Sequence, residues 1–401
     1  MNLARLRPSQ IFASGLCVSM LTSLLATGCG GSGGAKTGDG GSGNAGSGGN
    51  GGGGGGAAGS GGGSAGSGGG SGGGSAGSGG GSAGGSAGGG GSTSGGPQKL
   101  KMPGVVVYWG QDGYGGANPS DMTKYEADLA TTCTQNPGYG AVILAFVTSF
   151  VNTRNAGGYP EMNFANHCTT GWDDQNPFLL KCPDIAAGIQ TCQQQGKIVL
   201  LSFGGASGSY SFPSDAAATT FATTAWNLFL GGTSSVRPFA PATLDGIDLD
   251  LEGGASTGYS AFVGAMRGLM DASPRHYFIT AAPQCVYPDA YLGPAAGKAL
   301  GDVPQDFDWL NVQFYNNYCS AGSGASFTTS WQQWAAVGPK VMVGLPATSQ
   351  AGGGWVDPSG LKALLGGVAS SPAFGGAMIW DAGFDQNSGT PHYSVDVANA
   401  F

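Results

Sequence analysis

"DGIDLDLEGG", Asp245 to Gly254, sets three aspartates and a glutamate within eight positions of a chain in which only 9% of residues are charged. Read as a strand over 244–252, the stretch alternates faces: Asp248, Asp250 and Glu252 point one way, Ile247, Leu249 and Leu251 the other. Asp245 has the opposite parity to the three acids and reads as a turn or structural residue at the start of the strand. A strand that is aliphatic on one face and acidic on the other needs cover on both, which is the condition of a parallel sheet wrapped by helices.

Seven further apolar, β-branched or aromatic runs share this character: "GVVVYWG" (104–110), "AVILAFV" (141–147), "KIVLLSFGG" (197–205), "YFITAAP" (277–283), "WLNVQFY" (309–315), "KVMVGLP" (340–346) and "GGAMIW" (375–380). The connections are long enough to hold helices, and "CPDIAAGIQTCQQQG" and "YSAFVGAMRGLMDAS" carry helical patterning. Eight strand–helix units within residues 100–401 predict a single (β/α)₈ TIM barrel, an α/β fold. The alternative, a doubly wound open sheet, calls for a Gly-rich phosphate turn after the first strand, and "WGQDGYGGAN" supplies no G-x-G-x-x-G opening a helix.

In a barrel the acids face the axis, and the row climbs by roughly 6.5 Å per pair of residues, with Glu252 at the C-terminal end, where barrel chemistry occurs. Crowding like charges away from water raises at least one carboxyl pKa, as a general acid requires. The competing reading is a calcium or magnesium site, but an inward-facing strand row has the wrong curvature to wrap one ion. His167, His276 and His392 are solitary, read as ordinary surface or core residues, and no metal or other cofactor is expected.

The rest of the chain is of another kind. Nearly half of the 82 glycines lie in residues 30 to 99, where Gly, Ser and Ala dominate and nothing is available to form a core. A Gly/Ser tether of that length reaches about 45 Å. Ahead of it, Arg5 and Arg7 precede an uncharged stretch ending in "ATGC", so residues 1–29 read as an export signal. Cys29 closes a sequence resembling the bacterial lipobox, which makes it a candidate for lipidation, and a tether suits a domain fixed at its start. The expected location is outside the cell or on its surface, anchored to a bacterial membrane by a lipid. A net charge of -8 without a Lys/Arg cluster argues against nucleic acid and anionic membrane surfaces as partners. Setting aside Cys17 and Cys29, six of the eight cysteines remain, an even number that suits an oxidising compartment and allows 15 pairings.

"DGIDLDLE" resembles the D-G-x-D-x-D-x-E signature of glycoside hydrolase family 18, and "LLSFGG" resembles its S-x-G-G strand, with Ser202, Gly204 and Gly205 matching. "VYWGQDG", "MNFANHC", "TAAPQCVYPDAYLG", "VQFYNN" and "VGLPA" extend the likeness over residues 104–401 to the class III, hevamine-like chitinases. The resemblance implies retaining hydrolysis of β-1,4-linked N-acetylglucosamine in chitin, with the sugar's own acetamido group as nucleophile. It implies Glu252 as general acid and then base, and Asp250 as the group holding the acetamido N–H. Asp248 would share a proton with Asp250, Tyr315 would orient the acetamido oxygen, and Gln313 would be a neighbouring polar contact. Trp380 would floor the sugar subsite beside the cleaved bond, with Tyr108 and Phe146 as walls; Trp109, Tyr287 and Trp355 are weaker candidates. The resemblance also implies three disulfides, Cys133–Cys192, Cys168–Cys182 and Cys285–Cys319; a monomer is expected.

Two departures stand out. Gly253 follows the acid where plant members carry histidine, and "CTTGWDDQNPFLLKC" is long between its cysteines, which would reshape one rim of the cleft. Two other functions share the machinery: hydrolysis of N-glycan cores or peptidoglycan, and carbohydrate binding without cleavage.

Overall fold

The structure, a computed structural model, describes residues 99–401. The export signal with Cys29 and nearly all of the Gly/Ser linker lie outside the described residues. Among these residues nine strands occur in chain order: β1 (Gly104–Trp109), β2 (Tyr139–Ser149), β3 (Glu161–Met162), β4 (Ile198–Gly205), β5 (Gly246–Leu251), β6 (Phe278–Ala281), β7 (Trp309–Gln313), β8 (Lys340–Pro346) and β9 (Phe374–Trp380). Eight of them are parallel and run β1-β9-β8-β7-β6-β5-β4-β2, and the β1–β2 pairing closes the ring. The fold is a TIM barrel, with each of the eight anticipated strands present. The ninth, β3, was not anticipated: it is two residues long and pairs antiparallel with the end of β2.

Strand parity divides the apolar residues into two cores. Ile247, Leu249 and Leu251 join the larger one, between strands and helices, together with Val105, Val107 and Trp109. Val106, Tyr108, Ile143, Leu200, Phe278, Trp309, Met342 and Met378 fill the barrel interior. The two stretches read as helical are the helices Pro183–Gln194 and Tyr259–Asp271. In the first, Pro183 sits at the start, where its missing N–H is no loss, and Ile185, Ile189 and Cys192 form the buried stripe. The ring of helices thins between β6 and β7, where the only α-helix is Ala299–Asp302.

Asp245 is structural. It lies buried just before β5, accepts from Val199 N (2.8 Å) and Gln193 Nε2 (3.0 Å), and pairs with Arg275. Its carboxylate thus pins the starts of β4 and β5 to the segment leading into β6, at the end of the barrel away from Glu252.

Candidate active site

β5 stops one residue earlier than the sequence pattern suggests. Its ladder with β4 ends at the Gly205–Leu251 pair, and the Glu252 N–H is taken by the Tyr210 hydroxyl at 2.8 Å instead of a strand carbonyl. Tyr210 in turn donates to Gly205 O at 2.7 Å, so one phenol joins the end of β4 to the backbone of Glu252. Glu252 therefore stands on the first loop residue at the barrel mouth, partly open, above Asp250 and Asp248, which are 3% and 0% exposed.

Asp248 is the most enclosed of the row. Tyr108 Oη (2.8 Å) and Ser202 Oγ (2.7 Å) donate to its Oδ2, and Thr280 Oγ1 (2.6 Å) and Asn311 Nδ2 (3.3 Å) to its Oδ1. These donors come from β1, β4, β6 and β7, so one carboxylate gathers four strands. Burial pushes its pKa up, and the four donors oppose that shift.

Asp250 accepts from Gln313 Nε2 at 2.7 Å. Burial first, then the charges of Glu252, Asp248 and Asp289, hold its carboxyl well above the ordinary range. Burial also raises Glu252, against the Gln313 and Gln284 amides and with Asp289 reinforcing the rise. Loss of water thus outweighs like-charge crowding at both positions. Both carboxyls are raised, so the pair holds a proton above the ordinary carboxyl range. Tyr315, buried beside them, is pushed well above its usual value by burial and by both carboxylates, and so stays a neutral hydroxyl donor.

The aromatic candidates meet at the mouth. The Trp380 ring lies 5.6 Å from that of Tyr108 and 6.1 Å from that of Phe146, nearly parallel to the latter. Trp380 is the partly open member of the trio, while Tyr108 is 1% exposed with its hydroxyl committed to Asp248. Tyr108 and Ser202 thus build the support of the acid row more than its surface. Gly204 and Gly205 act through backbone: at φ 125° a Cβ on Gly204 would fall 2.0 Å from Asp250 O, and one on Gly205 would press the Phe146 ring at 2.9 Å. The weaker candidates have packing partners of their own: Trp109 donates to Ala127 O, Tyr287 packs on Trp334, and Trp355 on Tyr393.

Several site residues had no separate reading in the sequence. Asp289 is buried and accepts from the N–H groups of Gln284, Tyr291 and Leu292, shaping the loop after β6 that brings Gln284 beside Glu252. It stands in the quoted "TAAPQCVYPDAYLG", so the motif contained it. Glu126 is buried and accepts from Gly110 N and Gly383 N, and His167 Nε2 lies 2.9 Å from its carboxylate, so His167 is a core residue whose ring is tilted against that of Trp109. Among the described residues there are three disulfides: Cys133–Cys192 between two helices, Cys168–Cys182 across the long segment, and Cys285–Cys319 between the loops after β6 and β7. Among the described residues no cluster of three or more His, Cys, Asp and Glu is arranged to hold a metal ion.

The family model for glycosyl hydrolases family 18 matches residues 104–357, more than half of the chain. The chain belongs to glycosyl hydrolases family 18. Among curated relatives, "Chitinase 2" of Rhizopus oligosporus is 44% identical over 295 residues, covering 72% of this chain and 50% of that protein. The chain spans about half the length of the curated fungal relatives it matches. Among solved structures, a chitinase from Ipomoea carnea matches with a TM-score of 0.63 at 30% identity, covering 74% of this chain and 99% of that one. A xylanase and α-amylase inhibitor protein from Scadoxus multiflorus matches with a TM-score of 0.61 at 31% identity, covering 74% and 98%.

One acid of this family 18 site has a consequence for stability. Asp381, next to Trp380, is pushed up to about 8 by burial and then by Glu126. Between the ordinary carboxyl value and about 8 the folded chain holds a proton there that the unfolded chain has lost. The stability from this group is therefore complete below about pH 4 and is lost as pH rises to about 8. Urea unfolding midpoints are expected to fall from pH 5 to pH 8, and Asp381→Asn to flatten part of that slope whatever its effect on the absolute midpoint. An unchanged slope in the variant would count against the raised value.

Proposed function

We propose that this family 18 protein is a chitinase of the class III, hevamine-like kind, cleaving β-1,4-N-acetylglucosamine linkages with retention and without an enzyme nucleophile. The observation that carries the reading is the stack at the barrel mouth: a raised, partly open Glu252 above a buried Asp250 fixed by Gln313, with Tyr315 facing both and Trp380 open beside them. Glu252 gives its proton to the glycosidic oxygen as the acetamido carbonyl oxygen of the sugar attacks the anomeric carbon. Asp250 accepts the acetamido N–H and balances the positive charge of the oxazolinium, while Tyr315 donates to the acetamido oxygen. Water then opens the ring, losing its proton to Glu252. Asp248, through its four donors, keeps the row in register.

The relatives named as chitinases favour chitin as substrate. The inhibitor protein on the same barrel favours a second reading, glycan or protein binding without cleavage. The presence of Glu252, Asp250 and Tyr315 together weighs against it. We also propose that residues 1–29 direct export and offer Cys29 for lipidation, that 30–99 tether residues 100–401, and that the protein works as a monomer at the cell surface. Three disulfides fit an oxidising compartment outside the cytosol.

The test is a substrate panel: chitin hexasaccharide, a high-mannose glycopeptide and peptidoglycan, each incubated with the full chain. Chitin oligosaccharides are expected to be cut, releasing the β-anomer first by proton NMR. Release of the α-anomer would contradict retention, cutting of the glycopeptide alone would move the substrate to N-glycan cores, and binding without any cleavage would favour the inhibitor-like reading.

A further inference from the structure

Tyr318 is the one exposed Phe, Tyr or Trp among the described residues, 68% open to water. It follows Tyr315 by three positions, on the loop after β7 at the same end of the barrel as Glu252. That loop is held at several points. Cys319, the next residue, is bonded to Cys285; Asn317 Nδ2 donates to Gln284 Oε1 at 3.4 Å; and Ser320 Oγ donates to Asn317 O at 2.5 Å. On the neighbouring strip, the Asn316 N–H donates to Gly353 O at 2.8 Å, and Asn316 Oδ1 accepts from Gly353 N at 2.7 Å. An exposed ring on a stitched loop is preorganised, so a ligand stacking on it loses little freedom from the protein side.

Beside the ring lies a slot of about 220 Å³, formed with Ala325, Ser326, Thr329, Ser330 and Gln333 of the helix Ala325–Ala335. None of these lining residues is charged. Ser330 is committed to Cys285 O, leaving Ser326, Thr329 and Gln333 as the polar groups at the slot. An apolar ring face beside hydroxyl and amide groups, without charge, complements a pyranose, which offers one C–H face and a rim of hydroxyls. A charged or peptide ligand finds no ionic partner in this lining.

We propose that Tyr318 is the platform of a second saccharide-binding site on the β7 rim, outside the catalytic row, that takes a neutral chain of β-linked N-acetylglucosamine. The site rests on the reading of the protein as acting on chitin, and deepens it. Through Asn317, Gln284 and the Cys285–Cys319 bond, the platform is fixed relative to Glu252, so a chain or chitin surface held on Tyr318 lies at the margin of the cleft. Its role is adhesion to polymer at the cleft margin, separate from bond cleavage.

The experiment measures depletion onto insoluble chitin for the full chain carrying Glu252→Gln, so that the polymer is not consumed. Adding Tyr318→Ala is expected to weaken binding about fivefold, Tyr318→Trp to restore it, and Gln333→Ala to weaken it about twofold. Equal binding by the Tyr318→Ala protein, or a loss that Tyr318→Trp fails to restore, overturns the site while leaving the catalytic reading intact. No binding of the Glu252→Gln protein to chitin at all, together with no cleavage by wild type, overturns the functional reading and this site with it. Matching thermal midpoints for the Ala and Trp variants separate a lost platform from a damaged loop.

Discussion

Glu252→Gln is expected to lower kcat on chitin oligosaccharides by about 10² to 10⁴-fold while leaving binding of the same oligosaccharides within a few-fold of wild type. The amide keeps the shape of the side chain and cannot deliver a proton to the leaving oxygen. Glu252 is the member of the row that reaches the mouth, carried on the first residue past β5 and fixed through its backbone by Tyr210. A general stability loss would also lower activity, so the sign of the stability change matters. Burial raises the Glu252 pKa, so above the ordinary carboxyl range its ionisation costs folding free energy, and that cost grows as pH rises through the raised value. Removing the acid is therefore expected to leave the unfolding midpoint at pH 8 no lower than that of wild type. Near-normal turnover by the variant would sink the assignment of the acid.

The barrel was legible because its strands are buried on both faces and carry a period of two. Ile247, Leu249 and Leu251 pack outward and Asp248 and Asp250 inward, as parity alone requires. The end of β5 was not legible. Whether Glu252 continues the ladder depends on where β4 stops and on Tyr210, a residue 42 positions away that takes its N–H. Alternation in one strand carries no information about its neighbour's last hydrogen bond.

The same distinction runs through the site. Acids crowded on one strand were visible, and so was the expectation of a raised carboxyl. Its main cause was not, since desolvation depends on what surrounds the row: Tyr108, Ser202, Thr280 and Asn311 close over Asp248 from four other strands. Glu126 and the contacts of His167 and Asp289 were not legible, because each is an isolated polar residue in its own segment. Glu126 acquires its role only when Gly110, Gly383 and His167 converge on it, the farthest of them 257 positions away. Gly204 shows the reverse case. Its place in "LLSFGG" pointed to the site, yet what the position demands is close backbone approach to Asp250, which no side chain permits.

A sugar that supplies its own nucleophile makes the rate depend on its acetamido carbonyl. The carbonyl oxygen of the acetamido group is the attacking atom, Asp250 is the acceptor for its N–H and Tyr315 the donor to its oxygen. Drawing electron density from that carbonyl weakens the nucleophile without changing Glu252, the leaving group or the shape of the subsite floored by Trp380. An aryl chitobioside series in which the acetamido methyl beside the cleaved bond carries zero, one, two or three fluorines isolates this variable. A carboxylate nucleophile, or direct attack by water, would have no such dependence, because the acetamido oxygen would not bond to the anomeric carbon. Release of the aryl alcohol by the full chain, followed as kcat/KM along the series, is expected to fall at every step and by at least about 10²-fold from none to three fluorines. A rate that stays flat across the series would contradict substrate assistance and require a nucleophile from the protein or from water.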